Sequence, residues 1–238
     1  MVLKRARKLA RWLRARGFVA RGMTDAEPVF ERAWAARAGV GFVGKNCCLI
    51  VPGLGSHVVL ATVLTSADLA PDEPIAERCG SCRLCLDACP TGAFVRPREL
   101  DARACISYLT IETRAPVPVA LRAGIGDRIF GCDECQDVCP FNRTEAAPEA
   151  ETRPFEPDAR WAAHDAADYL RMGDEEFARV ARGSPIQRPG REGMARNAAI
   201  VLGNVGGRVH LPVLRAAAAH DVSPTVREAA AWALARLA

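Results

Sequence analysis

A chain of 238 residues, half of them hydrophobic, is long enough to bury a core and too apolar to be disordered. Its ten cysteines follow no secretory signal, which argues against a disulfide framework and favours a reducing, cytoplasmic setting. No apolar run approaches the ~18 residues that a membrane span needs. The net charge of +4 permits a nucleic-acid partner without indicating one.

The first segment, 2–16, is predicted to be a helix with one apolar and one strongly basic face. Leu3, Leu9, Trp12 and Leu13 fall near the apolar face. A solvated surface helix is the simplest interpretation of the basic face. The alternatives are a face that contacts phosphates and a transit peptide, although the segment has neither a serine nor a processing signal.

A second helix is predicted at 29–38, where Pro28 suits the first turn. Asp25 or Glu27 would then lie at the positive end of this helix. From the residues alone, Asp25 is therefore interpreted as a capping carboxylate.

The stretch 39–45 matches the G-x-G-x-x-G pattern of dinucleotide sites, but it follows a helix and precedes strands, so we reject that interpretation. Its glycines predict a tight turn with a close backbone approach, such as to a bulky ligand. Two strands, 48–51 and 57–64, are predicted to pair across the turn at 52–55.

Residues outside these patterns are predicted to be structural. The four histidines are scattered without metal-ligand spacing. Cys47 and Cys48 are interpreted as small buried hydrophobic residues.

The stretch from residue 79 to residue 139 carries the strongest signal. Its first run reads C-x2-C-x2-C-x3-C-P, the spacing of bacterial proteins with two iron–sulfur clusters. A later run repeats the last three cysteines and the proline, and the lone Cys105 completes two sets of four thiolates. In such proteins the cysteine before the proline ligates the other cluster. The predicted sets are Cys79, Cys82, Cys85 and Cys139 for cluster 1, and Cys89, Cys105, Cys132 and Cys135 for cluster 2.

A pair of zinc ribbons is the weaker interpretation of these cysteines. Ribbons also use C-x2-C pairs, but they rarely string three cysteines and close with x3-Cys-Pro.

The C-terminal part follows a polar, proline-marked linker at 143–157 and is Ala-rich. Arg196-Asn-Ala-Ala recurs as Arg227-Glu-Ala-Ala, 31 residues later, which indicates HEAT-like helical repeats; two ordinary helices are the alternative. Repeat helices would bury Ala198, Leu202, Ala229 and Leu234. They would also present five arginines to RNA phosphates: Arg191, Arg196, Arg208, Arg215 and Arg227.

Three stretches, 25–45, 105–112 and 126–136, together with the cysteine spacing, closely resemble epoxyqueuosine reductases. The resemblance covers nearly the whole chain, and its motifs are highly specific. It implies reduction of epoxyqueuosine to queuosine in tRNA, the last step of queuosine biosynthesis. It also implies cobalamin, two 4Fe-4S clusters and an external electron donor.

The same resemblance assigns site residues. It implies that Asp25, just ahead of the Pro-Val-x-Glu helix, is the proton donor, in place of the capping role. It places Ser107 and Gln136 in stretches that face the corrin. It places Lys45 and the backbone near Leu49 in the segment around the cofactor.

The chain also departs from the resembled family. Family members carry a longer N-terminal portion that completes the cobalamin site, so the chain resembles an N-terminally shortened member. Cysteines stand at 47 and 48, where relatives tend to have small polar residues. Glu27 replaces a small residue, and its negative charge would favour the protonated form of Asp25.

We therefore expect an α+β fold of three parts. These are a remnant of a small α/β cobalamin-binding domain at 1–70, a two-cluster ferredoxin-like domain at 71–145, and a linker with a HEAT-like tail at 146–238. We expect a cytoplasmic, monomeric reductase that passes electrons from the clusters to cobalamin. The alternative is a ferredoxin-type electron carrier, or an inactive fragment of that reductase.

Overall fold

The computed structural model describes residues 2–25, 27–143 and 159–238 and has a mixed, helix-rich architecture with short strands. The chain divides into two compact units whose segments alternate along the sequence. The first unit comprises the described residues of Met1–Ala88, Phe94–Leu100 and Glu134–Phe155, and the second those of Cys89–Ala93, Asp101–Asp133 and Glu156–Ala238. Segment 71–145 contributes to both units, and the domain boundaries at residues 70 and 145 stay predictions. Residues 144–157 of the predicted linker lie outside the described part.

The strands of the described residues lie in the first unit and form three antiparallel pairs, β1–β4, β2–β3 and β5–β6. Their bounds are β1 Ala20–Met23, β2 Phe42–Val43, β3 Leu49–Ile50, β4 Thr62–Thr65, β5 Phe94–Arg96 and β6 Glu99–Leu100. The α-helices are α1 Val2–Arg14, α2 Glu31–Arg37, α3 Leu84–Asp87, α4 Ile106–Ile111, α5 Val119–Ile125, α6 Glu134–Asp137, α7 Ala159–Ala162, α8 Ala166–Arg171, α9 Asp174–Ala181, α10 Gly190–Val205, α11 Leu211–His220 and α12 Pro224–Leu237. Short 3₁₀ segments occur at Ala102–Ala104, Pro140–Asn142, Pro185–Gln187 and Arg208–His210.

Helix α1 packs closely on β1 and β4. Of the residues predicted near its apolar face, Leu13 is buried, whereas Leu9 and Trp12 are about half exposed. The close approach follows from Gly22 on β1, where a Cβ would lie 2.6 Å from the carbonyl carbon of Ala6. Only small residues fit the helix face at this distance. The buried positions are Ala6, Ala10 and Leu13.

The predicted pairing of strands 48–51 and 57–64 is wrong. Strand β3 pairs with β2, and β4 pairs with β1. The glycine stretch does provide a close backbone approach, but to β3: a Cβ at Gly41 would lie 2.3 Å from the Ile50 carbonyl oxygen. The β2–β3 turn also holds Cys47 at a φ of +65°, a conformation that non-glycine residues rarely adopt.

Helix α2 begins at Glu31, two residues later than predicted. Phe30 occupies the capping position and makes no side-chain cap hydrogen bond. Pro28 therefore lies before the helix, outside its first turn. Asp25 lies in the loop after β1, so the interpretation of Asp25 as a capping carboxylate is wrong.

Helices dominate the second unit, and their packing encloses its core. Helices α10 and α12 pack closely, because Gly203 has no side chain at their contact. A Cβ at this position would lie 2.9 Å from the Cβ of Ala233. The predicted burial of three positions is confirmed, and Leu234 is partly buried. A HEAT-like classification of these helices stays a prediction. The three buried positions are Ala198, Leu202 and Ala229.

Arg196 is buried, with 1% of its surface exposed, so its assignment to an exposed basic face is wrong. Its guanidinium donates to the carbonyl oxygens of Leu109 at 2.7 Å and of Thr113 and Ala115 at 3.0 Å each. These carbonyls lie in the last turn of α4 and just beyond it, where a helix leaves acceptors without intrahelical donors. Burial, followed by the charge of nearby Arg114, lowers the pKa of Arg196 to about 10. The side chain is still charged at neutral pH and acts as a cation at a helix C-terminus.

Candidate functional site

Four cysteines of the first unit line one cavity of about 210 Å³. Cys79 and Cys82 lie in the loop before α3, and the Cys82 amide donates to the Cys79 carbonyl at 3.0 Å. Cys85 lies on α3, and Cys139 follows α6. Two segments that are distant in the sequence thus present four sulfur atoms to one space, as a 4Fe-4S cluster requires.

The cavity has an apolar wall formed by Ile50, Pro140 and Phe141. Phe42 and Ile50, on strands β2 and β3, form a buried cluster with Cys139, and Cys79 and Phe141 pack against it. The rings of Phe42 and Phe141 meet edge to face at 5.4 Å between centroids. Apolar groups around a metal site limit solvent access and so influence its redox potential.

The β2–β3 turn holds both cysteine runs through two adjacent side chains. The Lys45 ammonium donates to the Gly80 carbonyl and, at 2.9 Å, to that of Cys82. The Asn46 amide donates to the Cys135 carbonyl at 3.2 Å. Asn46 is only 4% exposed, and its own oxygen accepts from the amide of Cys48 at 3.1 Å. Asn46 was not predicted from the sequence, where its only signal is its place next to the glycine stretch.

Two thiols of this cavity, those of Cys79 and Cys85, resist ionisation. Burial, followed by the neighbouring cysteines Cys135, Cys139, Cys79 and Cys82, raises the pKa of Cys85 to about 11. Burial is also the main reason why the pKa of Cys79 is raised. Metal ligands must be deprotonated, so a cluster that assembled at this cavity would displace protons.

The other four predicted ligands are divided between the units. Cys89, Cys105 and Cys132 belong to the second unit, whereas Cys135 lies on α6 of the first. The Cys89 sulfur accepts a hydrogen bond from the Ala93 amide at 3.3 Å. Cys105 directly precedes α4. Among the described residues, no group of three or more His, Cys, Asp or Glu side chains is placed to hold a single metal ion.

Helix α10 supports the segments that carry two of these ligands. Asn197 is fully buried, and its amide donates to the carbonyl oxygens of Thr110 at 2.7 Å and Ile129 at 2.9 Å. Thr110 lies on the helix that follows Cys105, and Ile129 lies three residues before Cys132. Asn197 was not singled out from the sequence, because its role depends on contacts 87 and 68 residues away.

Asp25 lies in an exposed loop of the first unit with a φ of +40°. Left-handed backbone at a non-glycine residue is uncommon, although aspartate tolerates it, and such residues cluster at functional sites. The nearby Glu27 carboxylate pairs with Arg21 at 2.7 Å. Glu27 therefore has a cationic partner of its own.

The residues expected around a corrin have protein partners. Lys45 lines the cysteine cavity, and Leu49 is buried on β3. The Gln136 side-chain oxygen accepts from the Ser56 hydroxyl at 3.0 Å. Ser107 is half-buried on α4 of the second unit. Contact of these residues with cobalamin stays a prediction.

The remaining cysteines and one histidine show local structural roles. Cys47 and Cys48 are half-buried, so their prediction as buried residues is wrong. The His210 ring nitrogen accepts from the Gly207 amide at 3.1 Å, as expected of a structural histidine.

Comparison with known proteins agrees with this geometry. Residues 78–142 match the family described as a 4Fe-4S double cluster binding domain. A curated epoxyqueuosine reductase of Xanthomonas campestris is 42% identical over 243 residues, covering 99% of this chain and 66% of the relative. The chain belongs to the epoxyqueuosine reductase family.

Solved structures of epoxyqueuosine reductases have the same fold. One, with an epoxyqueuosine-modified tRNA stem loop, matches with a TM-score of 0.90 and 37% identity. Another, from Bacillus subtilis, has its catalytic aspartate loop swung out of the active site and matches with a TM-score of 0.86 and 38% identity. Each match covers 98% of this chain and 62% of the solved chain. The chain thus spans just under two thirds of the length of these epoxyqueuosine reductases. No helix in the described residues is long and apolar enough to cross a membrane.

Proposed function

We propose that this chain reduces epoxyqueuosine in tRNA to queuosine. The supporting observation is the similarity to epoxyqueuosine reductases over 99% of the chain, at 42% identity. The cavity with four cysteines adds chemical support, because it suits a redox cluster. The proposed setting is the cytoplasm, with an external electron donor and a monomeric protein.

The reaction removes the epoxide oxygen as water and leaves a carbon–carbon double bond. It consumes two electrons and two protons. When bound, the two 4Fe-4S clusters would carry electrons singly, and cobalamin would supply a strongly reduced cobalt centre at the substrate. The proposed ligand sets are those predicted from spacing, with Cys79, Cys82, Cys85 and Cys139 in one set and Cys89, Cys105, Cys132 and Cys135 in the other.

The residues of the chain have three tasks in this proposal. Lys45 and Asn46 hold the two cysteine runs in place, and the apolar wall at Ile50 and Phe141 excludes water. Asp25 donates a proton to the departing oxygen. A free aspartic acid has a pKa near ~3.9, so a donor at neutral pH requires surroundings that favour the protonated form. Substrate that covers the Asp25 loop would provide such surroundings.

The test is an Asp25→Asn substitution in protein reconstituted with clusters and cobalamin and assayed anaerobically on epoxyqueuosine-containing tRNA. General acid catalysis typically contributes ~10²–10⁴-fold, so turnover should fall by roughly that factor while iron content is unchanged. Asp68→Asn, at another exposed aspartate of the same unit, is the matched control and should retain activity. Turnover of Asp25→Asn at the parental rate would exclude Asp25 as the donor.

The same experiment separates a reductase from an electron carrier. A carrier would accept electrons into its clusters and pass them to another protein. Clusters that can be reduced, together with no turnover of epoxyqueuosine in the parental protein, would favour the carrier.

A further inference from the structure

Helix α1 carries a dense positive charge. Six of its thirteen residues are lysine or arginine, and none is acidic. Its small apolar residues face β1, so the orientation of the helix is fixed by packing. The basic side chains are therefore held on defined flanks of the helix.

One flank forms a pocket of about 250 Å³. Arg7, Arg11 and Arg14 are spaced by four and three residues, which places them on one side of α1. Arg21 of the adjacent strand β1 completes the cationic lining. Glu27 is the acidic residue in the lining, so the pocket has three uncompensated positive charges, four minus one.

The four arginines differ in their partners. Arg14 donates to the Ala20 carbonyl at 2.6 Å, and Arg21 pairs with Glu27 at 2.7 Å. The guanidinium groups of Arg7 and Arg11 make no hydrogen bond or ion pair with any described residue. Like charges gathered without counterions destabilise a surface, so the arrangement favours an external anion.

We propose that this pocket binds backbone phosphates of the RNA substrate, away from the reacting nucleotide. The inference rests on the proposed function and names a contact surface for its substrate. Arginine suits phosphate because its planar guanidinium donates two parallel hydrogen bonds. Phosphate contacts position an RNA without reading its sequence.

The geometry favours RNA over an anionic membrane. A helix that binds a bilayer must insert its apolar face among the lipids. In α1 that face is formed by Ala6, Ala10 and Leu13, which are buried against the protein. Leu9 and Trp12 are exposed, but the Arg16 guanidinium covers the Trp12 ring at 3.6 Å.

The test is the binding of an unmodified tRNA stem loop, measured by fluorescence anisotropy over a range of salt concentrations. Binding slopes change by ~0.7–0.9 per phosphate contact, so Arg7→Ala/Arg11→Ala should reduce the slope of log K against log[salt] by roughly 1.4–1.8. If the variant and the parent bind equally at ~1 M salt, this difference in slope corresponds to a roughly 25- to 60-fold loss of affinity at ~0.1 M salt. Both side chains are exposed, so the fold should persist.

The matched control is Arg5→Ala/Lys8→Ala, which removes two exposed charges that lie outside the pocket. It should reduce the slope by less than half as much. Glu27→Gln frees Arg21 from its counterion and should tighten binding. Equal effects of the two double variants, or unchanged or weaker binding by Glu27→Gln, would overturn the proposal.

Three further outcomes separate this inference from others. If the parental chain binds no stem loop, both this inference and the tRNA substrate of the proposed function fail. If it binds and Arg7→Ala/Arg11→Ala binds equally well, only this inference fails. Vesicles that contain an anionic phospholipid are the second probe. If the same variant loses vesicle binding but retains its affinity for RNA, the ligand of the pocket is a membrane surface and the RNA inference fails.

Discussion

Asn197→Ala should destabilise the second unit and selectively weaken the cluster predicted for Cys89, Cys105, Cys132 and Cys135. The substitution removes the amide that donates to the carbonyl oxygens of Thr110, which is buried, and Ile129, which is partly buried. A buried group left without a partner costs ~1–3 kcal/mol, so the two losses together cost at most about 6 kcal/mol. Arg196 also loses its acceptor on the Asn197 side chain. The measurements are the denaturant midpoint, the iron content and the visible absorbance of the clusters.

The expected pattern is a lower midpoint and a loss of up to half of the iron. One supported segment follows Cys105 and the other precedes Cys132, and these two cysteines belong to one predicted ligand set, whereas the cavity around Cys85 lies in the first unit. Glu192→Ala, at an exposed position of α10, is the matched control and should shift stability by less than ~0.5 kcal/mol. If Asn197→Ala unfolded at the same midpoint as this control and kept all its iron, the role assigned to Asn197 would be refuted.

The predicted ligand sets can be tested by paired substitutions. Cys82→Ser/Cys139→Ser should retain half of the iron, because both residues are predicted to ligate one cluster. Cys82→Ser/Cys89→Ser should lose both clusters. The reverse result would contradict the prediction that the cysteine before each proline ligates the other cluster. Asp221, whose side chain is buried, provides a pH test. Burial raises its pKa, but hydrogen bonds from Arg191 and the Ser223 amide outweigh this effect and leave the pKa lowered. A lowered folded-state pKa gives stability that is present above the unfolded value of ~3.9 and is lost as pH falls through the folded value. In iron-free protein, Asp221→Asn should therefore be clearly less stable than the parent at neutral pH, with a gap that narrows below pH ~4; a gap independent of pH would contradict this.

Local patterns allowed part of the fold to be predicted. The basic helix at the N-terminus and the Ala-rich helices of the tail follow from periodicity and helix propensity. The glycine stretch correctly indicated a close backbone approach, because only glycine tolerates a carbonyl oxygen 2.3 Å from the Cβ position at Gly41. The strand pairing was mispredicted because two-residue strands carry little periodicity, and their partners are set by tertiary contacts.

Residues whose function depends on distant partners were the hardest to predict. Arg196 looked like a surface cation in an Ala-rich helix, yet it satisfies carbonyls more than 80 residues away. Asn46 gave no signal of its own. In contrast, the spacing of the cysteines reports ligand geometry directly, because the cluster itself fixes the distances between the sulfur atoms.

The position of Cys139 in the chain has a consequence for biosynthesis. Three sulfur atoms of the cavity come from a seven-residue stretch that ends at Cys85, and the fourth emerges from the ribosome 54 residues later. At roughly 5–20 residues per second, the nascent chain exposes an open three-thiol site for about 3–11 s. Three close thiols can capture Zn²⁺ or oxidise to a disulfide. Recombinant yield of the intact protein should therefore depend on oxygen and free zinc during translation, as well as on the iron supply.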